Sequence, residues 1–143
     1  MDRLTPEERS RQMARVRSKD TKPEMLVRRM VFGMEYRYRL HSGKLPGRPD
    51  LVFPSRKKAI FVHGCYWHRH EGCALARYPK SRTDFWISKL EGNKERDTRK
   101  LAQLTHLGWK VLIVWECELR DRAAMAERLR LFLETKEGSH AVY

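Results

Sequence analysis

Residues 109–115 read WKVLIVW, a near-continuous apolar run. A run of β-branched and aromatic residues without polar alternation is typical of a strand that is covered on both faces. Gly108 directly precedes the run, and the sequence before it has a helical pattern from about residues 81–84, SRTD, which have the features of a helix start. We therefore predict a long helix that ends at Gly108 and leads at once into a buried strand.

Two shorter β-rich runs lie upstream of this strand. They read DLVF at residues 50–53 and AIFVH at residues 59–63, and the polar turn PSRKK separates them. This arrangement predicts a hairpin or two neighbouring strands. Residues 36–40, YRYRL, alternate with period two and predict a further half-buried strand.

Three helices complete the predicted fold. Residues 21–24, TKPE, form a capping box with proline in the first turn, and the following helix should present one largely apolar face. Residues 5–8, TPEE, repeat the capping-box signal and open a basic N-terminal helix. Residues 121–135 have an amphipathic pattern and predict a closing C-terminal helix. The apolar face predicted for the helix after residue 24 consists of Met25, Leu26, Arg29, Met30 and Gly33.

These elements indicate an α/β protein with a small mixed central sheet flanked by helices. A length of 143 residues suits a single domain. We divide it into a basic N-terminal arm (1–20), a core (21–120), and a C-terminal helix and tail (121–143).

The charge of the chain points to nucleic acid as its partner. Lys and Arg number 31 against 18 Asp and Glu, giving a formal charge of +13, and such a positive field attracts polyanions. A cationic membrane-surface helix is the rival, but here the charge is spread along the whole chain. No apolar run could span a bilayer, and the N-terminus lacks the apolar core of a signal peptide. We therefore expect a cytoplasmic protein that binds nucleic acid and has no membrane partner.

Residues 62–73, VHGCYWHRHEGC, concentrate metal-binding side chains. Cys65, His70 and Cys73 lie in this stretch, and Cys117 follows the 109–115 strand. Three cysteines without an export signal argue against disulfides, and four soft or borderline ligands make a closed, structural zinc site. From spacing alone, His68 could replace His70. The alternative is that Cys117 is a small buried apolar residue and the loop thiols are incidental.

The dipeptide Pro49-Asp50 begins the first β-rich run. A carboxylate at the start of one strand, with a polar group at the end of the next, is how many nucleases hold Mg²⁺. That pattern usually adds an acidic residue and then a lysine, but residues 60–63 read IFVH, so both are absent. A Pro-Asp dipeptide also commonly just begins a turn.

Five segments in this order resemble the very short patch repair endonucleases, the Vsr-type mismatch nickases. They are LPGRPDLVF (45–53), FVHGCYWH (61–68), PKSRTDFW (79–86), NKERD (93–97) and LGWKVLIVWECEL (107–119). The resemblance implies a fold related to type II restriction endonucleases. It also implies Mg²⁺-dependent hydrolysis of one DNA strand 5′ to the thymine of a T:G mismatch, which arises when 5-methylcytosine deaminates. The family is associated with mismatch-repair proteins, which are expected partners, and we expect a monomer.

The resemblance also implies catalytic roles. Asp50 would hold Mg²⁺, assisted by the main-chain carbonyl of Val62, although some relatives carry a hydroxyl-bearing residue at that position. His68 would be the general base, with Glu24 nearby to orient it. His63 would support the attacked phosphate and its hydrated metal ion.

Asp97 is implied in the same supporting role as His63. On a helix, Asp97 lies beside an apolar face that includes Leu90, Leu101 and Leu104, so a helix-packing hydrogen bond is its structural alternative. Glu24 likewise has an alternative role as the second half of its capping box. For zinc, the resemblance implies the ligands Cys65, His70, Cys73 and Cys117.

The resemblance finally implies that aromatic residues wedge into DNA beside the mismatch. Tyr66, Trp67 and Trp86 match the wedge residues, and Met13 matches a residue that inserts from the opposite groove. A flat ring can replace the stacking lost when a base step opens. Ordinary core packing is the alternative for Trp86, and a simple apolar anchor is the alternative for Met13.

Two other functions remain open at this point. One is a zinc-stabilised module that binds damaged DNA without catalysis, against which the pairing of Asp50 with His68 speaks. The other is a restriction-type endonuclease that cuts both strands, which would normally require a dimer.

Overall fold

The computed structural model describes residues 20–77 and 82–135. Met13 and the predicted basic N-terminal helix lie outside the described residues. Within them, three α-helices surround a four-stranded sheet. The helices are α1 (Lys22–Gly33), α2 (Thr83–His106) and α3 (Arg122–Glu134). This confirms the predicted α/β class with a small mixed sheet flanked by helices.

The sheet has the order β1-β2-β3-β4. Its strands are β1 (Arg39–Leu40), β2 (Leu51–Phe53), β3 (Lys58–His63) and β4 (Lys110–Trp115). The predicted hairpin forms: β2 and β3 pair antiparallel, with Leu51 opposite Ile60. Strands β3 and β4 are parallel, with His63 opposite Trp115, so the carboxyl ends of both strands lie side by side. Helix α2 makes the crossover between them.

The predicted strand at 109–115 forms, but it is not covered on both faces. Leu112 and Val114 are buried, whereas Val111, Ile113 and Trp115 are only half-buried. The reason is its position at the edge of the sheet. The central strand β3 is instead buried at five of its six residues.

The prediction for residues 36–40 was also too long. Only Arg39 and Leu40 pair in the sheet. Tyr36 and Tyr38 pack against the main core, and Glu35 has a φ of +68°. The chain therefore turns after α1 and uses its tyrosines for packing rather than for strand pairing.

The helix ends follow the predicted signals. Thr21 Oγ1 accepts a hydrogen bond from the Glu24 N–H (3.4 Å) at the start of α1. Helix α2 ends at His106, and Gly108 has a φ of +88°, which glycine adopts without steric cost. Asp121 Oδ1 accepts from the Ala124 N–H (3.0 Å) and caps α3.

The buried face of α1 differs from the predicted one. Its buried residues are Glu24, Val27, Arg28 and Val31, whereas Arg29 and Gly33 are exposed. The two valines join the main core, which lies between one face of the sheet and helices α1 and α3. That core also contains Leu51, Phe53, Ile60, Leu112, Val114, Leu119, Met125, Leu129, Phe132 and Leu133.

The other face of the sheet carries α2. Strand side chains alternate between faces, so Ala59, Phe61 and His63 point away from the main core. Helix α2 contributes buried Leu90 and Leu104. His63, at the end of β3, therefore emerges between the sheet and α2, where the candidate site lies.

Candidate active site

A cleft of about 400 Å³ opens where β2 begins and β3 ends. It brings together residues that are far apart in the sequence. Because β2 and β3 are antiparallel, the last residues of β3 lie beside the first residues of β2. Four of the predicted site residues line it, together with Val62: Asp50, His63, His68 and Asp97.

Asp50 is held at the mouth of the hairpin. Its Oδ2 accepts a hydrogen bond from the Val62 N–H (2.7 Å). Burial, and next the neighbouring Glu24 carboxyl group, raise the pKa of Asp50 to about 8. The two adjacent carboxyl groups place several oxygen atoms together at the cleft, and on the Asp50 side the burial favours the protonated form. This donor set fits a hard divalent cation such as Mg²⁺.

Glu24 is buried beside Asp50, and the contacts of its carboxylate among the described residues are with groups other than His68. Its carboxylate contacts the Arg28 guanidinium and lies 2.9 Å from His41 Nε2. It also accepts from the Asp20 N–H (3.3 Å), so it contributes to the helix start while facing the site. Glu24 therefore contributes to the helix start, and its role in orienting His68 stays a prediction.

His41 and Arg28 were not predicted. Asp20, Glu24 and His41 could by position hold a metal ion, but the Arg28 guanidinium contacts Asp20 and Glu24 and lies 3.3 Å from His41 Nε2. A cation already fills that place. The only sequence signal for Arg28 is its spacing with Glu24, Val27 and Val31 on one helix face.

Asp97 is the carboxylate that contacts His68. Asp97 Oδ2 lies 2.5 Å from His68 Nδ1. The ring of His63 stacks on the ring of His68, with centroids 3.8 Å apart and an angle of 7° between planes. Burial, and next His68, lower the pKa of His63 to about 3, so this imidazole is neutral at ordinary pH. Its Nδ1 is buried and has no hydrogen-bond partner among the described residues.

The loop after β3 positions His68 through its backbone. The His68 N–H donates to the Gly64 carbonyl (3.1 Å) and the His70 N–H donates to the Cys65 carbonyl (3.0 Å). Arg69 has a φ of +55° and its guanidinium donates to the Tyr66 carbonyl (3.1 Å). This turn sends His68 toward Asp97 and His70 to the opposite side.

The four predicted zinc ligands meet behind this loop. One ligand atom from each of Cys65, His70, Cys73 and Cys117 lies within 4.8 Å of the others. Cys65 Sγ and Cys117 Sγ are 3.6 and 3.4 Å from His70 Nδ1. Such spacings fit four ligands around one ion at about 2.0–2.3 Å. Burial raises the pKa of Cys65 to about 12, so a metal ion would have to displace a proton there.

The predicted aromatic residues form one surface near the start of α2. The ring centroids of Trp67 and Trp86 are 6.4 Å apart, and those of Tyr66 and Trp67 are 5.0 Å apart. Phe85, which was not predicted, is 48% exposed, and its ring centroid lies 5.4 Å from that of Trp86. Trp86 itself is only half-buried, so core packing does not account for its position. Tyr66, Trp67, Phe85 and Trp86 are called the aromatic surface below.

None of the described helices is both long and apolar enough to cross a membrane. Known proteins are similar to this chain in sequence. A family model described as DNA mismatch endonuclease Vsr matches residues 1–75.

Individual relatives extend over almost the whole chain. A type II nicking enzyme of Xanthomonas oryzae pv. oryzae is 53% identical over 133 residues, which are 93% of this chain and 97% of that protein. A type II nicking enzyme of Neisseria meningitidis serogroup A is 44% identical, covering 96% and 98%. The DNA mismatch endonuclease Vsr of Escherichia coli K12 is 43% identical, covering 93% and 87%. The chain therefore belongs to the Vsr family of DNA mismatch endonucleases.

Proposed function

We propose that this endonuclease nicks one DNA strand 5′ to the thymine of a T:G mismatch in a Mg²⁺-dependent reaction. The observation that carries the proposal is that the Asp97–His68 pair and the Asp50 carboxyl group open into one cleft. Metal-dependent phosphodiester hydrolysis uses a general base and an oxygen ligand for the metal ion. His68, whose tautomer Asp97 fixes, would be the base, and Asp50 would be the ligand. The names of the relatives, mismatch endonuclease and nicking enzyme, agree with it.

Asp50 and the main-chain carbonyl of Val62 are the groups that would hold Mg²⁺. When bound, the ion supplies charge neutralisation for the phosphate oxygens and a lowered pKa for bound water. The raised pKa of Asp50 supports this assignment, because a buried pair of carboxyl groups gains most from a divalent cation. Glu24 would add the second negative charge.

His68 would move the proton. Asp97 accepts the hydrogen bond of His68 Nδ1–H, which leaves Nε2 to take a proton from water. The water oxygen then bonds to phosphorus, the bond from phosphorus to the leaving sugar oxygen breaks, and that oxygen takes a proton from solvent. His63, neutral and stacked on His68, would offer its ring to the phosphate or its hydration shell without adding charge.

A structural Zn²⁺ would be held by Cys65, His70, Cys73 and Cys117. It would fix the loop that carries His68, because Cys65 and His70 flank that residue. The same loop carries Tyr66 and Trp67, so one ion would order both the base and part of the aromatic surface.

The aromatic surface would recognise the mismatch by entering the base stack. Rings on Trp67 and Trp86 can replace the stacking that is lost on opening a step, and a mismatched step costs less to open. Met13, from the N-terminal arm, would insert from the opposite groove. The arginines of that arm would bind phosphates and add affinity rather than specificity.

A duplex labelled on both strands tests the proposal. It carries T:G, T:A or C:G at one position in several sequence contexts, and products are resolved on a denaturing gel after incubation with Mg²⁺. We expect one nick, 5′ to the mismatched thymine, and no cut in the T:A and C:G duplexes. Cutting of both strands of a paired duplex would instead indicate a restriction-type enzyme, and binding without cutting would indicate a non-catalytic module.

A further inference from the structure

The cleft lacks a cation where the common nuclease pattern has a lysine. That lysine would stand on β3, but the strand ends in Phe61, Val62 and His63. Phosphodiester hydrolysis concentrates negative charge on the phosphate oxygens in the transition state, which cationic side chains stabilise. Of the described residues that line the cleft, two carry a permanent positive charge: Arg48 and Lys100.

An unusual backbone places Arg48 at the cleft. The Arg48 N–H donates to the Leu45 carbonyl (3.2 Å) and closes a turn with Pro46 and Gly47 at its centre. Gly47 and Arg48 have φ values of +78° and +49°. Glycine adopts this left-handed conformation freely, but arginine does so at a steric cost. Strain of this kind at a cleft points to a function for the strained residue.

Gly47 brings this turn against both neighbouring elements. A Cβ atom at residue 47 would lie 3.1 Å from Lys100 Cβ and 3.2 Å from Phe61 Cζ. The turn therefore touches both β3 and α2. Lys100 is three residues after Asp97 on α2 and so lies on the same face of the helix as that carboxylate. Arg48 and Lys100 thus both line the cleft that contains the Asp97–His68 pair.

The charges of Arg48 and Lys100 have no partner in the part of the chain that the structure describes. In residues 20–77 and 82–135, no ion pair or side-chain hydrogen bond engages either of them. The buried guanidinium of Arg28 is instead paired with Asp20 and Glu24. Both cationic groups of the cleft are therefore free to bind an anion.

We propose that Arg48 is a catalytic residue whose guanidinium binds the non-bridging oxygens of the attacked phosphate, while Lys100 binds the adjoining phosphate. This inference rests on the proposed function of the cleft. The planar guanidinium can grip two phosphate oxygens at once, and its charge does not change during the reaction. Arg48 thus takes the place of the lysine that β3 lacks.

The test compares Arg48 with Lys57, which offers a matched control. Lys57 is also exposed and also has a positive φ (+51°), but it lies in the β2–β3 hairpin turn, at the opposite end of β3 from His63. Arg48→Gly and Lys57→Gly each remove one positive charge and the side chain of a residue whose backbone is in the left-handed conformation. Arg48→Gln and Lys57→Gln remove the charge and keep the Cβ atom. Nicking of a T:G duplex is measured with Mg²⁺ at saturating protein, and DNA affinity is measured separately without divalent metal.

We expect both Arg48 variants to lose roughly 10²–10³-fold in the saturating nicking rate. Their DNA dissociation constants should rise less than about 10-fold, because a single phosphate contact contributes only part of the affinity. The melting temperature of Arg48→Gly should be unchanged or higher, because glycine relieves the left-handed strain. Both Lys57 variants should nick at the wild-type rate.

Two results would overturn the inference. One is an Arg48→Gln enzyme that nicks at the wild-type rate once its binding is saturated. The other is an equal loss in the Arg48 and Lys57 variants, which would reveal only a general effect of charge on DNA binding. Failure of the wild-type protein to nick the T:G duplex would contradict the proposed function instead, so the two failures are distinguishable.

Discussion

Asp97 Oδ2 lies 2.5 Å from His68 Nδ1, although one residue sits on a helix and the other in a loop. The contact ties α2 to the loop after β3. It also fixes the imidazole, because a proton held at Nδ1 leaves Nε2 as the acceptor. The chemistry of His68 therefore depends on a residue 29 positions away.

Asp97→Asn should retain the contact but favour the wrong tautomer of His68. We expect the nicking rate at saturating protein to fall roughly 10²–10⁴-fold, with DNA affinity nearly unchanged. Single-turnover nicking of a T:G duplex measures the rate. Glu95→Gln, an exposed carboxylate on the same helix, is the control and should cut normally.

The same pair allows a test of coupling. If Asp97 acts through His68, the double variant Asp97→Asn/His68→Ala should cut no more slowly than His68→Ala alone. Full additivity of the two losses would show that Asp97 acts independently of His68.

Asp50 should make the metal-free protein less stable as the pH rises. Its pKa is about 8 in the folded protein against an ordinary 3.8, so between these values the folded state keeps a proton that the unfolded state has lost. The stabilisation of the folded state by this proton is therefore complete below pH 3.8. It decreases as the pH rises above that value and is lost once the pH passes about 8. We compare the free energies of unfolding of metal-free Asp50→Asn and metal-free wild type. The difference in favour of Asp50→Asn should grow by about 2 kcal/mol as the pH rises from mildly acidic to mildly alkaline.

Chemical denaturation at several pH values with EDTA measures this difference. Addition of Mg²⁺ should then raise the stability of the wild type and not that of Asp50→Asn, because only the wild type binds the ion there. Equal pH dependence in the two proteins would show that Asp50 ionises normally in the fold.

Removal of zinc should destabilise the loop that carries His68. We expect about one zinc ion per chain, and chelation or His70→Ala should lower the free energy of unfolding by roughly 3 kcal/mol or more. Elemental analysis and thermal melting measure the two effects. His106→Ala, an exposed histidine at the end of α2, is the control and should cost less than about 1 kcal/mol. Full stability after complete zinc removal would refute a structural ion.

The aromatic surface should act on the mismatch and not on the cut itself. We expect Trp86→Ala to weaken binding of a T:G duplex by about 1–3 kcal/mol, as for other base-stacking aromatic residues. A 2-aminopurine beside the mismatch should also lose its fluorescence increase on binding. Phe32→Ala removes an aromatic side chain that is 55% exposed and lies on α1, outside the aromatic surface, and this variant should bind normally. Equal weakening by both variants would argue against a specific wedge.

Local signals were enough to predict much of the fold. The β2–β3 hairpin, the end of α2 before Gly108, and the caps at Thr21 and Asp121 follow from turn and capping chemistry, which acts over a few residues. The cluster of Cys65, His70, Cys73 and Cys117 could be anticipated from residue type, but the choice between His68 and His70 needed the resemblance. In the structure the backbone turn at Arg69 separates the two histidines.

The errors arose where the answer depends on distant parts of the chain. An apolar run such as 109–115 predicts a strand, but its position at the sheet edge depends on strand order. The buried face of α1 was missed because Glu24 and Arg28 are polar, and a hydrophobic pattern cannot register a buried ion pair. His41 likewise has no local signature, since only the fold brings it beside Glu24.

The most direct test of the account compares wild type with Asp50→Asn in single-turnover nicking of a T:G duplex. Both proteins are used at concentrations that bind all the DNA, with Mg²⁺ present or replaced by EDTA. We expect a single nick 5′ to the thymine by the wild type with Mg²⁺, none with EDTA, and full binding without cutting by Asp50→Asn. Cutting by Asp50→Asn at the wild-type rate, or cutting by the wild type in EDTA, would contradict it.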